Sequence, residues 1–580
     1  MNLKKRIFSC TLIIFAIGML YIQALNHVTA FGKENKNSQA SFTIVLKDRN
    51  NNDLINYVNQ PRTKFLSTKE FSRKYGQSTA TINKIKRYLN KHHLKSQVYP
   101  GNLVIKVTGS RNNIETAFHF KIIKEKINKT YVTKPNKTPK MANILDAKIN
   151  GIIGLSNYDR LSSDSKSGSF GVKRAPSDFI KRYHLQDTMN NKSKKVANIG
   201  IISFGGFSKN DIKTFWQKMG IKNSLNRIHV YTDTNKDNQK LSDETTMDIQ
   251  QASSIANNAN INVYLAQPTI SGMINSFANA IGSNKSDSIS LSWGISEAEI
   301  KQMINNKILP DNYNDIINEI LLQGASQGIS IFNSTGDNGA YDGIQSGITK
   351  LTVETPASSP YITAVGATTA PIMYKVNGHV VNVDKERVWS NDFLYPYFNS
   401  LKLYNADQST FLESYFVGSG GGFSKFNATP DYQKNIPGVN SYRAIQHWDM
   451  SYGVANQLAT PKVVTGTSTG RNLPDIVANG DPQTGYSVYY NGKWLIDGGT
   501  SIVAPQIAAV NAVYVSKLNH RLGLWNPRIY SAAQSSHSPF DQLYGDNATN
   551  IYYSTQNNKI YNQATGLGTV NYDKLFNLIK

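Results

Sequence analysis

The side chains in this sequence that could do chemistry fall into three short clusters of hydroxyl and carboxyl groups. The stretch Gly498-Gly499-Thr500-Ser501-Ile502-Val503-Ala504-Pro505 follows an apolar-aromatic run, residues 486–496, that reads as paired strands turning at Asn491-Gly492. An Ala- and Val-rich helical pattern over residues 503–518 comes after it. Ser501 therefore stands where a Gly-rich turn opens a helix. Glycine lets backbone approach a substrate closely, and a helix N-terminus presents free N–H groups and the positive end of the dipole. A serine there could attack a carbonyl carbon while an N–H steadies the oxyanion. It could equally be an ordinary helix cap.

The second cluster is Glu244-Thr245-Thr246-Met247-Asp248. Carboxylates four residues apart on a helix share one face. An acidic first turn, with Asp243 in it, is also what the helix dipole favours. As chemistry, Glu244 could take a serine's proton while Asp248 orients it and shares a proton with it, because two close carboxylates resist ionising together. The third cluster is Ser334-Thr335-Gly336-Asp337-Asn338-Gly339, at the C-terminal end of a strand. Ligand groups gather at that end of parallel sheets, although an Asp in such a turn is common. Asp337 can donate to an oxyanion only while it is protonated.

Strands and helices that could position these clusters alternate from Arg174 onward. Residues 196–203 form a continuous apolar run, as expected for a buried parallel strand. Further strands are expected at 228–231, 261–265, 286–292 and 330–334. Helices are expected at 177–183, 209–219, 244–256, 271–281 and 313–327. This order means an α/β fold with a mostly parallel sheet flanked by helices. Residues 371–417 break the rhythm and read as an irregular excursion. Upstream, residues 41–155 read as a small α+β domain: a strand at 42–46, a capping box at Ser67-Thr68-Lys69-Glu70, and a helix capped by Ser78 or Thr79 with Ile82, Ile85 and Leu89 on one face. A strand at 103–107, a helix at 112–118 and a strand at 119–122 complete it. Residues 156–172 are rich in Ser, Gly and Asp and read as a cuttable linker, leaving 173–580 as the main domain.

The 580 residues carry a formal charge of +24. Residues 1–170 hold 29 Lys and Arg against 9 Asp and Glu, whereas the rest hold 34 against 30. A basic excess confined to one detachable piece argues against a nucleic-acid groove. That excess would grip acidic groups of the main domain at neutral pH and loosen as acid protonates them. Cys10, the only cysteine, lies in the apolar run 7–22 behind Lys4-Lys5-Arg6. The pattern is that of a secretory signal covering residues 1–30, with Val28-Thr29-Ala30 as the cleavage site and Ala24 as a second choice. The mature chain would be extracellular, free of disulfides, without stable membrane insertion, and monomeric.

The motif Gly-Thr-Ser-x-x-x-Pro resembles the nucleophile motif of the subtilisin-like clan of serine peptidases. That clan's histidine context, His-Gly-Thr-His, is missing around His184, His229, His379, His447, His520 and His537, and the first strand ends in Ser203-Phe204-Gly205-Gly206 where an aspartate is expected. Glu-x-x-x-Asp, then Gly-Asp-x-Gly, then Gly-Thr-Ser-x-x-x-Pro resemble, in that order, the catalytic pattern of the sedolisin family, the serine-carboxyl peptidases, and of its kumamolisin-type members most. Phe65-Leu66-Ser67, Phe71, Tyr75-Gly76 and Ala117-Phe118 resemble its activation propeptide. The resemblance implies a subtilisin-like fold, Ser501 as nucleophile, Glu244 as base, Asp248 as its partner and Asp337 as oxyanion stabiliser. It also implies a substrate cleft lined by Ser292, Trp293, Gly294, Gly420, Gly421, Gly422 and Thr500, and a propeptide acting as intramolecular inhibitor and chaperone.

The family's calcium site would fall at Leu543, Asn558 and Ile560, with Gln542 and Asn562 standing where the family has aspartates and Asp541 one residue out of register. Calcium affinity falls as charged oxygens are lost. The expected protein is a secreted, acid-acting peptidase made as a zymogen, an endopeptidase or a tripeptidyl peptidase. The rivals are a catalytically dead peptidase-like surface or binding protein, a Ser-His-Asp hydrolase that needs one of the histidines, and a basic nucleic-acid binder.

Overall fold

The computed structural model describes residues 38–580 apart from 61, 128–129, 142, 164–165, 169–173, 233–239, 377–378, 396–411, 413, 452–454 and 544–547. The expected signal segment and residues 164–165 and 169–172 of the expected linker lie outside the described residues.

The N-terminal unit is a four-stranded antiparallel sheet covered by helices. Its strands β1 (Gln39–Leu46), β2 (Lys95–Val98), β3 (Val104–Ser110) and β4 (Ile149–Ile153) lie in the order β2-β3-β1-β4. Helices α1 (Thr68–Lys74), α2 (Thr79–Lys91) and α3 (Arg111–Ala117) start on the side chains of Ser67, Ser78 and Ser110, and Ser67 and Glu70 complete both halves of a capping box. Ile82, Ile85 and Leu89 bury the inner face of α2. Strands β2 and β4 were not expected, nor were a helix over Asn51–Asn59 and a hairpin pairing Ile122–Ile127 with Thr130–Pro135. The strand expected at 119–122 starts later, because His119 turns the chain with φ 55°.

Two short strands cross from this unit to the next: β5 (Ser162–Ser163) and β6 (Lys166–Gly168). The main sheet comprises β7 (Asn198–Ser203), β8 (Ile228–Thr232), β9 (Asn260–Leu265), β10 (Ser288–Leu291), β12 (Ser330–Ser334) and β13 (Thr363–Thr369), ordered β8-β9-β7-β10-β12-β13; β11 (Trp293–Ser296) follows the interior strand β10 but pairs outside this sheet. These pairs are parallel, β14 (Ile476–Asn479) joins β13 in parallel, and Arg387–Val388 closes the edge antiparallel. Residues 371–417, expected to be irregular, thus supply that edge strand and a hairpin, Ile372–Val376 with His379–Val383. Helices α4 (Asp243–Ile255), α5 (Ile270–Ser283), α6 (Tyr313–Ser326) and α7 (Thr500–Leu518) pack against the sheet. Burial on both sheet faces explains why its strands read as unbroken apolar runs. Strands β15 (Tyr486–Tyr490) and β16 (Lys493–Gly498) form the expected hairpin and deliver the chain to α7.

The two units meet along α5 and α6. Phe65 packs against Gly328 and Gly523. Leu66 N donates to Ser326 O (3.0 Å), Thr68 Oγ1 to Gly282 O (3.0 Å) and Lys134 Nζ to Asn306 O (2.9 Å). The ion pairs Arg111–Glu115, Lys121–Glu115 and Lys134–Glu125 stay inside the N-terminal unit. Charge does cross the boundary at Glu319, which is buried and accepts from Asp48 N and from Asn150 Nδ2 (2.5 Å).

Burial, then the nearby Asp48 charge, pushes the Glu319 pKa up to about 8. Burial raises Asp159 to about 7 and raises Asp48 as well. A carboxyl whose pKa is raised in the docked state stabilises that state fully below its free value, about 4, and the stabilisation is lost as pH rises through the docked value. Docking at these groups is therefore tighter in acid, opposite in sign to the loosening expected of the basic piece as a whole. In the precursor carrying Ser501→Ala, protection factors of β1 and β4, that is, exchange rates corrected for the intrinsic rate at each pH, should be larger at about pH 4 than at about pH 8, values that bracket these pKa values, and Glu319→Gln should shrink the difference. Better protection at the higher pH would sink this reading.

Candidate active site

The three sequence clusters converge at the C-terminal ends of the central strands. Helix α7 begins at Thr500, with Gly499 as its N-cap at φ 89° and no side-chain capping bond. Ser501 is thus not a cap; it lies in the first turn and is fully buried. Only a residue tolerant of positive φ lets β16 turn so sharply into the helix. The Ser501 hydroxyl donates to the Ser292 carbonyl (3.3 Å). Ser292, just past β10, sends its own hydroxyl to Asp248 Oδ1 (2.8 Å) and lies 3.1 Å from the Ser501 carbonyl. It therefore ties the two segments together.

Glu244 and Asp248 both sit on α4, capped by Ser242, and both are fully buried. Helix α4 lies along α7, where Gln506 Nε2 donates to Gln251 Oε1 (3.1 Å). Burial, then the neighbouring Glu244, holds the Asp248 carboxyl protonated far above the usual carboxylate range. Asp248 Oδ2 is buried with no hydrogen-bond partner among the described residues. That is the natural seat of its proton, since an ionised oxygen left unpaired in a dry site costs heavily.

Asp337 follows β12 and is 2 % exposed. Its Oδ1 accepts from Thr500 N (2.7 Å) and Thr500 Oγ1 (3.0 Å). Thr500, expected to line the substrate cleft, fixes Asp337 beside Ser501. The Gly420–Gly422 segment packs on the same turn: Gly420 N donates to Gly336 O (2.8 Å) and Gly418 N to Asp337 O (2.9 Å). A Cβ on Gly420 would lie 1.7 Å from the Thr335 carbonyl, so only glycine allows this approach. Trp293 and Gly294 open β11, with the Trp293 ring edge-on to Phe204.

Two acids escape the sequence reading. Asp497, fully buried on β16, accepts from Gly498 N (2.9 Å). Burial first, then the charges of Asp243 and Glu244, keeps it protonated well above the carboxylate range. Glu354 lies directly under Gly294, where a Cβ would meet its Oε1 at 1.3 Å. Among the described residues no histidine hydrogen-bonds to Ser501: its hydroxyl bonds to Ser292, His520 Nδ1 faces its neighbour Arg521 O, and His537 faces Ser536.

The cleft holds a stretch of the chain itself. β5 pairs antiparallel with β11, Ser162 opposite Gly294 and Ser163 opposite Trp293. β6 pairs antiparallel with β16, Lys166 opposite Gly498 and Gly168 opposite Ile496. The two described strands thus pair with the segment that follows Ser292 and with the segment that leads into Ser501.

A model of the pro-kumamolisin activation domain matches residues 27–158, and a model of the subtilase family matches residues 228–568, more than half the chain. The chain belongs to the subtilase family. The activation-domain match and the relatives that follow show a likeness to the sedolisins. Kumamolisin of Bacillus sp. (strain MN-32) is 26% identical over 370 residues, 61% of this chain and 54% of kumamolisin. Sedolisin of Pseudomonas sp. (strain 101) is 24% identical over 549 residues, 90% of this chain and 83% of sedolisin. The match thus spans about half of kumamolisin's own length. The solved structure of Pseudomonas sedolisin, described as a serine-carboxyl proteinase complexed with two molecules of pseudo-iodotyrostatin, superposes with a TM-score of 0.50 at 23% identity, covering 71% of this chain and 98% of that one. It supports the subtilase fold, a mostly parallel sheet flanked by helices. Among the described residues no helix is long and apolar enough to cross a membrane.

Proposed function

We propose that this protein is a secreted serine-carboxyl endopeptidase made as a zymogen, with Ser501 as nucleophile and Glu244 as general base. In the reaction, Ser501 Oγ turns from Ser292 and attacks the scissile carbonyl carbon as Glu244 takes its proton. The carbonyl π pair moves to oxygen, and protonated Asp337, oriented by Thr500, donates to that oxyanion. Glu244 then returns the proton to the departing amine as the C–N bond breaks, leaving an ester on Ser501. Water hydrolyses the ester by the same steps in reverse order of roles. Asp248 stays protonated, so the Glu244–Asp248 pair carries a single charge, on the base.

The observation that carries this reading is the threaded segment. Chain running antiparallel along Trp293-Gly294 on one side of Ser501 and along Gly498 on the other lies as a substrate would, and as an inhibitor must. Because the cleft receives chain on both sides, it suits internal cleavage better than removal of tripeptides from an N-terminus, the activity in the names of several fungal relatives. The test is to expose the processed enzyme to a peptide aldehyde in acid. A hemiacetal on Ser501, seen by mass and lost in Ser501→Ala, is expected. A chain that forms no adduct and cleaves no peptide would be a binding protein on a peptidase scaffold.

A further inference from the structure

The residues at the place where a calcium ion is expected do not fit a cation. Gln542 stands at one acidic position, and its Nε2 donates to the carbonyl oxygens of Ile560 and Leu567, the latter at 2.8 Å. Its orientation follows from the neighbours: both are carbonyl oxygens, which can only accept, so the amide nitrogen must face them. Asn562 stands at the other acidic position and is buried. Its Oδ1 accepts from Ala564 N (3.0 Å), Thr565 N (2.9 Å) and Thr565 Oγ1 (3.2 Å), and its Nδ2 donates to Thr565 Oγ1 (2.8 Å). Asp541, which could have compensated, is exposed at the end of a two-residue strand.

A hard divalent ion needs six to eight oxygen lone pairs converging on one point. Here the Ile560 carbonyl is already taken by a donor, the Asn562 oxygen is turned to its own loop, and the group reaching inward from residue 542 is itself a donor. An –NH2 with two hydrogens and no lone pair would repel the ion whose ligands it engages. The Ile560 oxygen, which the sequence reading left open to calcium, thus already accepts from an amide.

We propose that this place is an amide clamp: the two N–H groups of Gln542 do the mechanical work of a cation, tying the 540–543 segment to Ile560 and Leu567 without any metal. The clamp lies in the connection between β14's neighbours and the C-terminal helix Tyr572–Ile579: Val477 N donates to Gly568 O and Leu567 N to Asp475 O. Loosening it would therefore reach the central sheet. The inference does not rest on the catalytic reading, since its readout is unfolding.

The experiment is thermal unfolding of the full chain carrying Ser501→Ala, which cannot digest itself. It is run in excess chelator and in calcium at roughly 10 mM, above the dissociation constants of weak extracellular sites. The midpoint is expected to be the same in both. Gln542→Leu, which keeps bulk and removes both donors, should lower the midpoint by a few degrees equally in both. Gln542→Asp with Asn562→Asp should be less stable than the parent in chelator and be restored by calcium. A parent midpoint that falls several degrees in chelator and recovers with calcium would overturn the proposal. So would an unchanged midpoint in Gln542→Leu, or a double variant that gains nothing from calcium.

Discussion

A precursor carrying Ser501→Ala should remain full length in acid, while the wild-type chain cuts itself between Ser163 and Lys166. The expectation follows from register rather than from composition. Ser163 lies opposite Trp293, just after Ser292 to which the Ser501 hydroxyl donates, and Lys166 lies opposite Gly498, three residues before Ser501, so the bond expected to be cut is one between Ser163 and Lys166. The backbone pairing on both flanks holds the reacting groups together, which is the main entropic gain in an intramolecular reaction. Removing the hydroxyl removes the only route to the ester, so the loss should be complete rather than partial. Mapping the new N-terminus by mass is the check. A first residue outside 164–166 would refute the register, and conversion of pure Ser501→Ala would assign maturation to another protease. The cut alone need not free the propiece, because Glu319 and Asp159 strengthen its docking in acid.

Parts of this arrangement were legible in the sequence, and the reasons differ from residue to residue. Helix α4 and the strands β7, β10 and β12 could be read because buried parallel strands and capped helices leave strong local patterns. Glu244 and Asp248 could be read because their spacing alone puts them on one face. Asp497 could not: its neighbours Asp243, Glu244 and Asp337 come from distant segments, and an Asp within an apolar-aromatic strand gives no local sign of its partners. The start of α7 was placed three residues late because Gly499, Thr500 and Ser501 are poor helix formers, held helical by the tertiary frame. The linker read only as a cuttable connection because Ser, Gly and Asp dominate it, yet its described strands pair along β11 and β16 through backbone groups that need no side-chain pattern. The hairpin at 122–135 was missed because Ile122–Ile127 carries Lys124, Glu125 and Lys126 between its isoleucines, and its exposed charges hide the strand period.

Peptide hydrolysis by the processed enzyme should follow a bell with its maximum at roughly pH 3–5, around the carboxyl range, and should be nearly gone at neutral pH. On the acid side, Glu244 must lose its proton before it can take one from Ser501. On the alkaline side the cluster must keep the protons it needs. Asp248 and Asp497 have pKa values raised by burial and by the charge of Glu244. For groups raised in this way the protonated state dominates through the acid range, and ionisation comes only as pH climbs. Each such ionisation adds a negative charge, with little water to screen it, beside a base already charged and opposite a developing oxyanion. Asp337 meets the same limit for another reason, since its carboxyl donates to the oxyanion only while protonated. Asp337→Asn separates these causes. An amide donates at every pH, so the variant should lose on the order of a hundredfold to a thousandfold in acid if its geometry is imperfect, and a smaller factor as pH rises toward 7. Equal loss at all pH values would remove protonation from the role of Asp337. A wild-type maximum near pH 7–8, where histidine rather than carboxyl groups titrates, would remove Glu244 from the role of base.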